Sequence, residues 1–229
     1  MPTKFLKVLA HGTTKLDVVY TNESREVPFF LQQLKEKWFD DAMEHEKFLG
    51  LDPEYTADQR GVAVIQLCFA RHVLIFQWAR SDKHCPELMD FLRSGITFAT
   101  IDIRNDKLKM RHSFGIEIPV GCLVDLQTVF RLRHDRTSMA HMAVALIDEE
   151  YGDMKTSFPK SEHKLWEKAP LDPINIEYQQ KMHTFHTSCT ARFESSTMAS
   201  VTSRKVDILI QTIQTSSVLN IEHLYIYLW

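Results

Sequence analysis

Two neighbouring apolar runs constrain the fold of this chain more than any other feature of its sequence. The first run covers residues 62–70 and the second covers residues 73–78, and both are rich in β-branched and aromatic residues. Such runs are typical of strands, and the two-residue break Arg71-His72 between them predicts a hairpin. A sheet that contains this hairpin is therefore the starting point for the fold.

Helical and extended patterns alternate on both sides of the hairpin. After it, the sequence predicts a helix around 86–93, a short extended segment at 96–101 and a helix over 102–110. The N-terminal region adds two strands, Phe5–Leu9 and Leu16–Tyr20, and a helix from Pro28 to about Met43. In that helix an apolar stripe at helical spacing indicates core packing: Phe30, Leu31, Leu34 and Trp38. The order of elements predicts an α/β domain with a sheet flanked by helices.

An acidic pair, Asp52 and Glu54, stands at the end of an apolar run that begins at Phe48. Alternate side chains of a strand share a face, so both carboxylates are expected on one side, and Leu51 and Pro53 on the other. Two anionic oxygens on one face suit a hard divalent cation. In a chain with 30 acidic residues such a pair is weak evidence alone, and its neighbours in the sequence decide its meaning.

Further motifs follow the acidic pair in a fixed order. The strand Ile65-Gln66-Leu67 comes next, and Asp106 lies early in the helix that follows the short strand at Ala99. Three later segments complete the set: Val124-Asp125-Leu126, Met139 to Leu146, and Trp166-Glu167-Lys168-Ala169-Pro170-Leu171. With Tyr178 in the last motif, roughly residues 15 to 193 resemble the 3'-5' exonuclease domain of the ribonuclease D and Werner syndrome type. These are the DEDD nucleases, Tyr subclass, of the ribonuclease H-like fold.

The resemblance implies a mixed sheet with flanking helices over residues 1–194 and a two-metal phosphodiesterase site. Asp52, Glu54 and Asp106 would hold two divalent ions, Mg²⁺ or Mn²⁺, and Tyr178 would orient the attacking water. The substrate would be a single-stranded 3' end of a nucleic acid, from which nucleotides are released. DNA and RNA remain equal alternatives.

The last motif departs from the family at its acid. The family has Tyr-x-x-x-Asp on its final helix, because positions i and i+4 lie on one face. Counted from Pro170-Leu171, Tyr178 falls on the tyrosine and Met182 falls on the fourth carboxylate. A thioether is a soft, neutral ligand that magnesium does not favour, so the sequence predicts an incomplete site with weakened or lost hydrolysis. His183 or His186 could replace the missing ligand, or be ordinary surface or partly buried histidines.

Other departures concern the residues beside the first three acids. Asp102 stands where the family has a small residue; an N-cap of the following helix is the default interpretation, and an extra ligand is the alternative. Pro53 removes an amide from the strand and is expected to alter the geometry of the two carboxylates. Tyr55 stands where the family often has Trp, which is a milder change.

Two basic clusters are candidates for phosphate contact although the formal net charge is −3. The alternative for both is a solvated helix face. The first cluster directly follows Asp106, and the second lies further along the chain. Their members are Lys107, Lys109, Arg111 and His112, then Arg131, Arg133, His134 and Arg136.

Composition places the chain among globular proteins, with 44% hydrophobic and 25% charged residues. No apolar run approaches the roughly 20 residues of a membrane span, and the start does not resemble a secretory signal, so we expect a nuclear or cytoplasmic protein without a membrane partner. The absence of a Walker loop, a Gly-x-Ser-x-Gly elbow and a Gly-x-Gly-x-x-Gly fingerprint argues against nucleotide hydrolysis, acyl transfer and hydride transfer. The cysteines are expected to be reduced thiols: Cys68, Cys85, Cys122 and Cys189.

Residues 195–229 lie outside the family pattern. A Ser- and Thr-rich stretch leads into an apolar segment that ends at Trp229. This extension could bind a protein partner, pack on the domain, or reflect a diverged or misassigned gene end. For the whole chain, the alternatives to a nuclease are a non-catalytic interaction module and a degenerating duplicate.

Overall fold

A computed structural model describes residues 3–10, 14–43, 47–129 and 161–176, together with Ser138, His141, Met142, Val144, Glu149, Pro159 and Tyr178. Its centre is one sheet of seven strands in the order β1-β2-β5-β4-β3-β6-β7. The strands are β1 (Lys4–Ala10), β2 (Thr14–Thr21), β3 (Phe48–Tyr55), β4 (Val62–Phe69), β5 (His72–Phe76), β6 (Thr97–Thr100) and β7 (Leu123–Asp125).

The sheet is mixed, as predicted. The pairs β1–β2, β3–β4 and β4–β5 are antiparallel, whereas β2–β5, β3–β6 and β6–β7 are parallel. The predicted hairpin is β4–β5, in which Phe69 pairs with His72 across the turn. Because β3 and β6 are parallel, their carboxyl ends meet at the same edge of the sheet, where ligands bind in open α/β sheets.

Helices α1 (Glu26–Leu34), α2 (Pro86–Arg93) and α3 (Ile103–Phe114) connect these strands, and α4 (Leu126–Val129) follows β7. The predicted helix from Pro28 to about Met43 is shorter than expected. It continues past α1 as a π-helical turn, Lys35–Phe39, that closes with the amide of Asp40 donating to the carbonyl of Lys35 at 2.9 Å. Helix α3 ends at Gly115, whose φ of +66° is a left-handed conformation that glycine adopts without strain.

Two groups of buried side chains cover the two faces of the sheet. Helices α1, α2 and α3 pack on the face that contains Leu51, Ile65 and Phe98. On the other face Trp166 and Leu171 pack with residues of β2, β4 and β5. The described residues after α4, including Tyr178, therefore cover the face opposite α1–α3.

Several predictions fall on residues beyond this description. The described part of the predicted helix 139–146 is helical at His141, Met142 and Val144. The boundary at 194/195, the extension 195–229 and the second basic cluster lie outside the described residues, and so does Cys189. The other three cysteines form no disulfide among the described residues, and Cys68 and Cys85 are buried. No helix in the described part of the chain is long and apolar enough to span a membrane.

Candidate functional site

The acidic pair lies at the end of β3, on the face opposite α1–α3. Asp52 is directly opposite Gln66 of β4, and Glu54 is directly opposite Val64. Val64 belongs to the core on the face covered by Trp166, whereas Leu51 belongs to the core under the helices. Residues directly opposite in an antiparallel pair share a face. Both carboxylates therefore point away from Leu51, as the alternation of the strand predicts.

Pro53 does not distort the acidic pair, which corrects the expectation from sequence. The register with β4 is regular from Gly50 to Glu54, and the irregularity lies between Glu54 and Tyr55. The parallel partner β6 pairs with β3 only from Phe48 to Gly50, so it forms no ladder opposite Pro53. A residue without an amide hydrogen is tolerated where a strand has lost one neighbour. The bulge acts on Tyr55 instead.

Asp106 reaches the same edge of the sheet from the first turn of α3 and is only 4% exposed. The hydroxyl of Tyr55 donates a hydrogen bond of 2.5 Å to its Oδ1. The hydroxyl of Thr100 donates a short hydrogen bond to its Oδ2. Tyr55 ends β3 and Thr100 ends β6, so the carboxyl ends of two parallel strands meet on one side chain.

Burial dominates the electrostatics of both aspartates. It raises the pKa of Asp52 from its ordinary value of 3.8 to about 7. It also raises the pKa of Asp106 to about 8; the Thr100 and Tyr55 hydroxyls act in the opposite direction, and the charges of Asp52 and Asp102 raise it further. Oδ2 of Asp52 is fully enclosed and accepts no hydrogen bond from the described residues. The charge of Asp52 thus acts on Asp106, and the two acids differ in their hydrogen bonding.

Tyr178 is 6% exposed and near enough to the acidic pair for the charges of Glu54 and Asp52 to act on its phenol. Burial raises the pKa of its phenol, and the charges of Glu54 and Asp52 raise it further, in that order. Its ring centroid is 6.3 Å from that of Trp166. The structure therefore brings together the four residues predicted from the sequence, whereas Met182, His183 and His186 lie outside the described residues.

Asp102 occupies the predicted N-cap position but does not cap through its side chain. Its φ of +61° is left-handed, an uncommon conformation for a residue other than glycine, and its side chain makes no capping hydrogen bond. Its carbonyl oxygen accepts the amides of Asn105 at 2.9 Å and of Asp106 at 3.2 Å. Asp102 is therefore the N-cap residue, as predicted, but its side chain does not make the expected capping hydrogen bond.

Solved structures show where this fold occurs among known proteins. RNase D of Trypanosoma brucei superposes with a TM-score of 0.59 at 16% identity, over 90% of this chain and 72% of that one. RNase D of Escherichia coli, an exoribonuclease involved in structured RNA processing, gives 0.60 at 18% identity over 85% of this chain and 49% of that one. NrnC of Brucella melitensis gives 0.56 at 17% identity, over 86% and 89%. This chain has the ribonuclease H-like α/β fold of these nucleases.

The likeness rests on the fold rather than on sequence. The chain matches no family model, and the comparison with curated proteins gives no match. Identities of this size fix the architecture alone. The chemistry of this chain therefore has to be argued from its own side chains.

These side chains suit a divalent cation by type but not by arrangement. Carboxylate oxygens are the ligands that Mg²⁺ and Mn²⁺ prefer, and the enclosed Oδ2 of Asp52 would gain a partner from a cation. However, no three His, Cys, Asp or Glu side chains among the described residues are placed so that they could hold one metal ion. Both oxygens of Asp106 already accept hydroxyl hydrogen bonds. The described residues alone therefore do not form a two-ion centre.

The first basic cluster divides between two surfaces of α3. Nζ of Lys109 lies 5.5 Å from the ring centroid of Tyr55 and thus beside the acidic site. Arg111 instead forms an exposed ion pair with Glu117 at 3.1 Å. Lys107 and Arg111 border a cavity of about 310 Å³. Lys109 therefore contacts Tyr55 at the candidate site, and Asp106 also lines the cavity that Lys107 and Arg111 border.

Tyr55 and Thr100 are the site residues that sequence reasoning undervalued. Tyr55 was expected to be a mild replacement for Trp, and Thr100 was not singled out. The sequence carried a signal for each, since both are hydroxyl residues at the end of a strand and Thr100 precedes Asp106 by six positions. Their convergence on Asp106 depends on the pairing of β3 with β6, which neither residue reveals locally.

Proposed function

We propose that this chain is a 3'-5' exonuclease-like domain that binds single-stranded 3' ends of nucleic acids, with hydrolysis of the phosphodiester weakened or lost. The observation that supports the proposal is the charge interaction of Asp52 with Asp106, and of Asp52 and Glu54 with Tyr178, in a sheet that has the fold of RNase D. These residues come from β3, α3 and the region after residue 161. These three regions are far apart in the sequence, and only the fold makes them neighbours.

The proposed roles follow the motifs residue by residue. Asp52, Glu54 and Asp106 would be the ligands of Mg²⁺ or Mn²⁺ for whatever hydrolysis remains, and Tyr178 would position the attacking water. Lys109 would contact a phosphate of the strand, because its ammonium lies over the ring of Tyr55 at the site. We also propose a nuclear or cytoplasmic location, which fluorescence microscopy of the tagged chain would check.

Two features support weakened rather than full hydrolysis. Met182 stands where the resemblance requires the fourth acid, and removing one anionic ligand is expected to cost more than the roughly 10- to 100-fold typical of a lost outer partner of a metal site. Independently, Asp106 accepts two hydroxyl hydrogen bonds and is not part of a three-acid group among the described residues. Both features reduce the affinity for a cation.

Binding is tested without metal, so that hydrolysis cannot remove the ligand. Fluorescently labelled single-stranded RNA and DNA are titrated with the full chain in EDTA, and each strand is compared with the same strand blocked at its 3' end by a hairpin. We expect tighter binding to the free 3' end and weaker binding for Lys109→Gln. The matched control is Lys15→Gln, an exposed lysine on β2. Equal affinity for free and blocked ends, or no binding at low salt, would contradict the proposal.

Hydrolysis is tested with 5'-labelled strands and Mg²⁺ or Mn²⁺. Slow loss of nucleotides from the 3' end that disappears in Asp52→Ala supports a residual enzyme, and Met182→Asp should accelerate it. The rate is compared with that of a relative that has all four carboxylates. A rate equal to that of the relative would show that the site is not impaired.

A non-catalytic interaction module is the second candidate, and the absence of a three-acid group among the described residues favours it. Binding to 3' ends without hydrolysis by either ion, even in Met182→Asp, would support this module over a weak enzyme. The role of residues 195–229 in binding a protein partner stays a prediction. Light scattering of the full chain and of a chain ending at residue 194 would test whether the extension mediates association.

A further inference from the structure

We propose that Tyr55 and Thr100 form a hydroxyl clamp on Asp106 that keeps this carboxylate from binding a divalent cation, so that removal of either hydroxyl opens the site to the ion. The proposal rests on the proposed function, since it concerns the same acidic site. It assigns a restraining role to two residues that the motifs leave without one.

The clamp is built from three elements at one edge of the sheet. Tyr55 donates to Oδ1 of Asp106 at 2.5 Å, and Thr100 donates to Oδ2. One hydroxyl comes from the end of β3 and the other from the end of β6, while α3 supplies the carboxylate. Lys109 lies over the ring of Tyr55 at 5.5 Å and favours the position of the phenol. The carboxylate is therefore fixed from two sides by side chains whose own positions the sheet determines.

Hydrogen bonds alone are also compatible with a supporting role. A carboxylate oxygen that accepts one hydrogen bond retains a second lone pair, and metal-binding carboxylates are often held by outer hydrogen bonds. Two observations favour restraint in this chain. Asp106 is 4% exposed, and within the described part of the chain it does not join two other acids in an arrangement that could hold an ion. Outer hydrogen bonds that supported a metal site would orient the acid toward its fellow ligands.

The contrast with Asp52 supports the same conclusion. Oδ2 of Asp52 is enclosed without a hydrogen bond from the described residues, whereas each oxygen of Asp106 has a donor. An enclosed, unsatisfied carboxylate oxygen is costly, and a cation would satisfy it. The ion is thus favoured by Asp52 and opposed by the hydroxyls on Asp106. A substitution that removes the hydroxyl of Tyr55 or Thr100 would therefore remove this restraint on Asp106.

The test is binding of Mn²⁺ to the full chain, followed by the electron paramagnetic resonance signal of free Mn²⁺. Tyr55→Phe keeps the ring and removes only the hydroxyl, and Thr100→Val replaces the other hydroxyl by a methyl group of similar size. We expect each variant to bind Mn²⁺ on the order of tenfold more tightly, because one hydrogen bond no longer competes with the ion. Adding Asp106→Asn to either variant should cancel the gain.

Thr21→Val is the matched control, because it removes a buried threonine hydroxyl on β2 outside the site and should leave Mn²⁺ affinity unchanged. Circular dichroism confirms that each variant is folded, and the two clamp variants test the proposal independently. Unchanged or lower affinity in both would overturn the clamp; lower affinity would assign the hydroxyls a supporting role. Nucleic-acid binding in EDTA is measured separately, so a failure of the clamp and a failure of the proposed function give different results.

Discussion

Two aspartates of one site differ because of the groups that surround them. Asp106 has a hydroxyl donor on each oxygen, whereas Oδ2 of Asp52 is enclosed without a donor from the described residues. Both carboxyls nevertheless have raised pKa values, because burial penalises the charged form more than the hydroxyls favour it. The acids of this site therefore reduce stability when they ionise.

Asp52→Asn should make the stability of the protein less dependent on pH. Burial raises the pKa of Asp52 to about 7 in the folded state, whereas the unfolded chain releases this proton near 3.8. Between these pH values the folded state binds more protons, so a rise in pH lowers the free energy of unfolding, by a few kcal/mol in total. Urea unfolding at pH 5 and pH 8 without metal should show the wild type losing more stability than Asp52→Asn.

The control for this change is Asp90→Asn, which neutralises an exposed acid on α2. Its pH dependence should match that of the wild type. Asp106 faces the same site and titrates in the same range, so some dependence should remain in Asp52→Asn. If the free energy of unfolding changed equally with pH in Asp52→Asn and in the wild type, the Asp52 carboxyl would not be buried in the folded state.

His72, at the start of β5, affects the pH dependence of stability in the direction opposite to the two aspartates. Its ring stacks on Trp38 with centroids 3.4 Å apart and planes 5° from parallel. Burial lowers the pKa of His72, the carboxylate of Asp17 at 3.9 Å opposes this effect, and Arg71 lowers the pKa further. The folded state thus binds fewer protons than the unfolded chain near pH 6.5, and this histidine adds stability as pH rises through that value.

Trp38→Ala should raise the pKa of His72 toward 6.5, because it exposes the imidazole ring to water. The measurement is a titration of the histidine resonances by NMR. Phe29→Ala, which removes an exposed aromatic ring on α1, is the control and should leave the titration of His72 unchanged. A pKa of His72 that is the same in Trp38→Ala and wild type would show that the stack does not exclude water.

At the scale of elements, the helices and strands that depend on a local pattern of residue types could be predicted from the sequence. The β4–β5 hairpin and α2 follow from runs of residue types, and the alternation at Asp52 and Glu54 correctly assigned both to one face. The end of the first helix was missed, because the π-helical turn after Leu34 keeps an apolar stripe while changing the hydrogen bonds. The clamp was missed for another reason. Tyr55 and Asp106 are 51 positions apart, and only the parallel pairing of β3 with β6 makes them neighbours.

The contact of α3 with the start of β4 gives a test at this scale. Oγ of Ser113 accepts the amide of Val62 at 2.7 Å, and a Cβ added at Gly61 would lie 2.7 Å from the same oxygen. Gly61→Ala should therefore cost about 1–2 kcal/mol, through displacement of the hydroxyl and loss of its hydrogen bond. In a Ser113→Ala background the same substitution should cost less, and urea unfolding of the double-mutant cycle measures the difference.

Gly121→Ala is the matched control, because an added Cβ there meets no atom within 4 Å. It should be close to neutral. Additive effects of Gly61→Ala and Ser113→Ala would contradict the contact. Because α3 also carries Asp106, a coupling here would show that the helix is held to the sheet at both ends.

At the scale of the whole molecule, the site exists only when the sheet is covered on both faces. Asp52 and Glu54 belong to β3, Asp106 to a helix on one face, and Tyr178 to the region that covers the other face. A buried glutamine links that region to the sheet. Gln77 accepts a hydrogen bond from the hydroxyl of Tyr20 at 2.8 Å and donates to the carbonyl oxygens of Trp166 at 3.0 Å and Lys168 at 2.6 Å.

Gln77→Met should loosen the segment 166–171 more than the rest of the protein. Methionine has a similar shape but leaves two carbonyl oxygens and one hydroxyl without this partner, at a cost of about 2–4 kcal/mol. The amide of Leu171, which donates to the hydroxyl of Tyr20 at 3.1 Å, should lose protection in hydrogen exchange. Gln32→Met changes an exposed glutamine on α1 and should leave exchange unchanged. If exchange in Gln77→Met rose equally in β4 and in this segment, the glutamine would support the fold in general. A selective rise would show that it specifically holds the region that carries Tyr178 against the acids.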